Sequence, residues 1–177
     1  MDKGFSRSAI DRLVQDEDLL PEPHARGIYR IAERELSLHH DLLVVALYAP
    51  TAVFCLLTAL SWHRLRCPCA DVWLSVPAPS RFPDLRQLPL APVRPRVVRD
   101  DWERNTVNLD EVPMLFTSPA QTVADCFQHR TRVGLDVAVA ALHEAVRSGA
   151  ASAEDLWRCA GASSVKGVML PYMESIG

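Results

Sequence analysis

The chain has 177 residues, 49% hydrophobic and 23% charged, which suits one globular domain or two small ones and excludes a disordered segment. A formal net charge of −3 excludes a globally basic nucleic-acid coat but leaves room for a local basic patch. Lys3 and Lys166 are the only lysines, so 17 of the 19 basic residues are arginine, the side chain suited to bidentate contact with phosphate, guanine edges and carboxylates.

The opening stretch "SRSAIDRLVQDEDLL" predicts a helix with Ser6 as N-cap and Ile10, Leu13 and Val14, with Leu19 and Leu20, on an apolar stripe, the helix ending around Asp18. "LPEPHARGIYRI" predicts a tight hairpin whose second strand follows a bend at Gly27. Residues 32 to 41, "AERELSLHHD", are polar and helix-forming. From Leu42 to Trp62 no residue is charged, a length sufficient to span a bilayer. Pro50 at its centre favours two short buried helices instead, one ending near Ala49 and the next opening at Pro50.

The proline-rich middle predicts short strands at "DVWLSVP" and "RPRVVRD", and "NTVNLDEVPMLFTS" predicts a hairpin turning near Asp110 and Glu111. Helices follow. One is capped by Ser118 with Pro119 at its first position, one stops at Gly149, one starts from Ser152 with Glu154 and Asp155 in its first turn, and a short one ends the chain. There is no internal repeat, and the order of elements predicts an α+β fold.

Five cysteines (Cys55, Cys67, Cys69, Cys126, Cys159) lack disulfide-framework spacing, and the charged first residues do not form a signal peptide. Both features predict a reducing, cytoplasmic setting.

Taken in order, "SRSAIDRLV", "ARGIYRI", "CLLTALSWHRL", "VWLSVP", "VPMLFTSPAQTVADCFQHRTRVGLDVAVAALHEAV" and "DLWRCAGASSVKGVMLPYMESI" resemble the antitoxin half of AbiE-type (type IV) bacterial toxin–antitoxin pairs. The resemblance implies a winged helix-turn-helix that binds inverted repeats at its own promoter as a transcriptional autoregulator, followed by a domain that opposes a nucleotidyltransferase toxin. It divides the chain into a partial winged helix over residues 1–34 and a mixed α/β antitoxin domain, with a small sheet and C-terminal helices, over residues 35–177. A helix-turn-helix needs a supporting helix, and at most five residues precede the recognition-like helix, so the resemblance implies a truncated module. Inverted repeats imply a homodimer on DNA. The alternative is an interaction module that opposes the toxin without binding DNA.

On this resemblance, Ser6, Arg7, Ser8 and Arg12 form the DNA-facing set, with His24 and Arg26 on the wing. Residues 1 to 31 nevertheless carry five basic side chains against six acidic ones. The run "HRTRVGLD" places Arg130 and Arg132 in a loop between two helices, where they suit an acidic partner or phosphate with Asp136 ordering them, or else form a charge-solvated loop. Two further clusters carry less. His63, Cys67 and Cys69 lack zinc spacing, so no metal is expected. Ser118, Asp125 and His129 resemble a triad, but a nucleophile serving as a helix cap lacks the strand–turn–helix elbow of hydrolases. Helix capping and a surface carboxylate–histidine pair account for them. No phosphate-binding glycine loop or paired-carboxylate motif is present, so no cofactor and no enzymatic activity are expected.

Overall fold

A computed structural model describes residues 4–65, 69–77, 81–85, 88–94 and 104–176. Ser6 accepts the Ala9 amide at 3.2 Å and starts α1 (Arg7–Gln15). Helix α1 stops three residues short of Asp18, because Glu17 takes a positive φ of 61° and turns the chain out. Ile10, Leu13 and Val14 are half-buried, α1 packs on β1 (Leu19–Pro21), and no residue of α1 is fully buried.

Strand β1 pairs antiparallel with β2 (Tyr29–Ile31), with Leu20 opposite Arg30. The hairpin is not tight. Residues 22–28 connect the strands, and Gly27 sits at φ +80°, a conformation glycine adopts without steric cost.

Residues 32–39 are not helical, contrary to the sequence expectation. Ser37 accepts the His39 amide on its hydroxyl and the His40 amide on its carbonyl, so helix α2 begins only at His40 (His40–Tyr48). Leu36 is 55% exposed and Leu38 fully exposed, so helix here would have had no apolar face to bury.

The second apolar helix does not open at Pro50. A two-residue strand, β3 (Val53–Phe54), intervenes, and α3 runs from Leu56 to Trp62. β3 is the centre of a five-stranded sheet. It lies antiparallel to β4 (Val72–Ser75) and parallel to β7 (Val112–Thr117), while β4 pairs in parallel with β5 (Leu90–Val93) and β7 pairs antiparallel with β6 (Arg104–Leu109). The expected strand "RPRVVRD", apart from Arg94, lies outside the described residues. The β6–β7 turn falls on Asp110 and Glu111, both at positive φ (50° and 65°), which matches the twist of a two-residue hairpin.

After Ser118 the chain is helical: α4 (Pro119–Gln128), α5 (Arg130–Val133), α6 (Leu135–Arg147), α7 (Ala153–Ala162) and α8 (Lys166–Glu174). The fold is α+β, with helices on both sides of a mixed sheet.

Strands β3 and β4 at the middle of the sheet are buried on both faces, and the alternation of β4 divides the core. Val72 and Leu74 join Phe54, Met114, Phe116 and the Leu43–Ala46 run of α2. Trp73 joins Leu56, Leu60, Phe127, Leu142, Leu156 and Met169 from the helical side. Phe116 is fully buried in the first cluster, 4.6 Å between ring centroids from Trp62 and 5.0 Å from Phe54. Thr58 ties α3 to β4 by accepting the Trp73 amide at 2.8 Å and donating to the Asp71 carbonyl. Among the described residues no helix is long and apolar enough to cross a membrane.

Candidate functional site

Ser6, Arg7, Ser8 and Arg12 are all exposed on α1. Ser6 spends its hydroxyl on the helix cap and on Ser8 Oγ (3.1 Å), and Arg12 makes a loose surface pair with Asp16 (3.6 Å), worth little in water. Helix α1 therefore presents Ser6, Arg7, Ser8 and its N-terminus to solvent at one end, and Arg12 in its last turn.

The hairpin connection behaves differently. Glu22 is buried, and its carboxylate lies 2.8 Å from His40 Nε2 at the start of α2. Ala25 is buried in the α2 core and Ile28 packs against it. Arg34, just beyond β2, donates to Asp110 in the β6–β7 turn at 2.6 Å. The connection is thus seated on the body. Arg26 stays exposed, while His24 is half-buried, and both line a cleft closed on its far side by Tyr48 and Asp84. Among the wing candidates, then, only Arg26 shares the full exposure of the α1 set.

The arginines expected in a loop before α6 lie instead in the short helix α5. Arg130 donates to the Phe127 carbonyl (3.1 Å), capping the end of α4. Arg132 lies over Trp73, 4.8 Å from its ring centroid, and reaches the Pro92 carbonyl at 3.4 Å. Both have roles inside the fold, fastening α5 to the sheet and to α4. Asp136 is exposed in the first turn of α6, where it suits the helix dipole, and no ion pair joins it to either arginine among the described residues. Gly134 makes this junction possible. It sits at φ +95°, and a Cβ there would meet Asp136 Oδ1 at 2.6 Å.

Ser118 and His129 stand at the N-cap and C-cap of the ten-residue α4, about 16 Å apart along the axis, so the three residues do not form a triad. Ser118 caps its helix by accepting the Gln121 amide at 3.2 Å. Asp125 is not a surface carboxylate, as the sequence suggested. Its Oδ1 accepts from Gln121 Nε2 (2.7 Å) and from Ser163 Oγ at the end of α7 (3.4 Å). Loss of water around this carboxyl raises its pKa to about 7, against the opposing pull of those two hydrogen bonds.

His63 donates Nε2–H to the Thr117 carbonyl at 2.7 Å, and burial lowers its pKa although that hydrogen bond favours the charged ring. The Cys69 thiol donates to the Asp71 carbonyl (2.7 Å), and Cys67 lies outside the described residues. No group of three or more His, Cys, Asp or Glu residues is placed to hold a metal among the described residues.

The Glu22–His40 contact, the Asp125–Gln121–Ser163 network and the Arg132–Trp73 stack escaped the sequence reading. Each joins residues far apart in the chain, and no local spacing marks them. Neither a scan against protein-family models nor a search of curated proteins finds a match for this chain.

Proposed function

We propose that the chain is a DNA-binding regulator of the AbiE-type antitoxin class, reading promoter DNA through α1 and opposing a nucleotidyltransferase toxin through its sheet-and-helix body. One observation carries the reading. Helix α1 buries none of its residues, yet it is held by a hairpin that is firmly seated on the body. A helix presented in this way, with Ser6, Arg7 and Ser8 exposed at its N-terminal end and Arg12 exposed in its last turn, is suited to phosphate and groove contacts. Inverted-repeat binding would place two copies on one DNA site.

The test is fluorescence anisotropy at low salt with the intergenic duplex upstream of the gene. Binding at least about tenfold tighter than to a scrambled duplex supports the reading; equal affinity for both removes promoter recognition. A bacterial rescue assay with the neighbouring nucleotidyltransferase tests the antitoxin half separately.

A second reading, an antitoxin module that opposes the toxin without binding DNA, is favoured by the seating of the wing-like connection against α2 and by the acidic balance of residues 1 to 31. It predicts rescue without promoter binding.

A further inference from the structure

We propose that the cleft between β2 and α2 is a binding site for a small apolar monocarboxylate, gripped by Arg30. This site is independent of DNA or toxin recognition and stands or falls by itself.

The cleft has a volume of about 200 Å³. Its inner lining is apolar, from Ile28, Leu43, Val44 and Val112. Tyr29, Ile31, Leu36 and Leu47, four of the exposed large hydrophobic side chains of the described residues, all line it. Apolar side chains clustered around one concave feature mark a binding surface more strongly than the same residues scattered.

Arg30 supplies the polar handle. Its Nε is the sole buried side-chain nitrogen or oxygen without a hydrogen-bond partner among the described residues. The contrast with its neighbours is sharp: Arg34 in the same wall is satisfied by Asp110, and His40 by Glu22. A shielded guanidinium N–H without an acceptor is a costly arrangement. Arg30 lines the cleft, and a carboxylate bound there would accept from Nε and a terminal nitrogen together.

The surrounding charges select the ligand. Glu22 and Asp110 are already paired, and Glu35 adds a negative charge at the rim. One unpaired guanidinium facing one unpaired carboxylate favours a monoanion over a phosphate. An added peptide strand fits poorly, because β2 has three residues and the Ile31 carbonyl is taken by the Arg34 amide (3.2 Å). The volume suits an acid below drug size.

The test titrates the full chain with sodium octanoate and with sodium phenylacetate, following methyl chemical shifts by NMR, with octanamide as the uncharged control. Saturable binding of at least one acid with a dissociation constant below about 1 mM, mapped to Ile28, Leu43, Val44 and Leu47, is the expected result. Octanamide and the Arg30→Gln variant should bind at least about tenfold more weakly. Leu47→Glu, at a half-exposed helix position that tolerates charge, should abolish binding with the fold intact, which keeps the test decisive if Arg30→Gln does not fold. No saturation by either acid at 10 times that concentration, shifts mapping elsewhere, equal binding of amide and acid, or undiminished binding by the variants would overturn the proposal.

Discussion

The two ends of this molecule use helices in opposite ways. Helix α1 has nine residues and buries none, whereas the ten-residue α4 buries six: Ala120, Thr122, Val123, Ala124, Cys126 and Phe127. Both start with a serine cap of the same geometry, so local capping does not distinguish them. What differs is the face each offers to the rest of the chain. α4 is covered by α3, α6 and α7, and even its polar groups are used inward, Thr122 donating to the Ser118 carbonyl and Asp125 accepting from Ser163. α1 packs mainly on β1, and its arginines are exposed. A helix that contributes so little to the core is under little packing constraint, and it depends on the hairpin for its place.

The largest expected effect sharpens the contrast from the body's side. Phe116→Ala removes a fully buried ring packed between Trp62 and Phe54, and should cost about 3–5 kcal/mol in chemical denaturation. Leu13→Ala in α1 should cost well under half of that. Comparable losses would show that α1 belongs to the core after all.

The next effect is one of pH. Asp125 titrates near its ordinary value of about 3.9 when unfolded, but at about 7 in the fold. Between those values the folded state binds more protons, so this group's contribution to stability declines as pH rises from about 4 and levels off above about 7. Between pH 5 and pH 8 the wild type should lose on the order of 1–2 kcal/mol relative to Asp125→Asn, after allowance for residual solvation. Denaturation at the two pH values checks it, and parallel losses in both proteins would contradict the buried-carboxyl account.

A smaller effect probes the seam. Glu22→Ala removes the acceptor facing His40 and the one serving the His24 amide (3.4 Å). It should cost about 1 kcal/mol, and hydrogen exchange should quicken across residues 19–31 while residues 119–160 are unaffected. The smallest effect is Arg12→Ala, which should change stability by less than about 0.5 kcal/mol, since its pair with Asp16 is long and exposed.

Much of this architecture was legible in the chain because the signals were local. Ser6, Ser118 and Ser152 cap as their types and positions suggest, and the Asp110–Glu111 turn falls where the strand alternation breaks. The central strand β3 was not legible. Two residues, Val53 and Phe54, carry no periodicity, and an uncharged run hides a strand buried on both faces as readily as a helix. Residues 32–39 misled for the converse reason: helix-forming composition cannot act without an apolar face to bury. The chemistry of Asp125 was hidden too, because its position in α4 predicts a surface pair with His129, and only the approach of α7 withdraws its carboxyl from water. The exposure of Ser6, Arg7, Ser8 and Arg12 was legible, since a helix that buries nothing is described almost completely by its own sequence.

The claim at the centre of the account is that α1 is kept out of the core in order to bind DNA. The most direct measurement is the affinity of the chain for its upstream duplex, wild type against an Arg7→Ala, Arg12→Ala double variant, with thermal unfolding of both proteins recorded alongside. The account predicts a loss of at least about tenfold in affinity, with the unfolding temperature unchanged within about 2 °C. Equal affinity in the two proteins, with the variant folded, would contradict it.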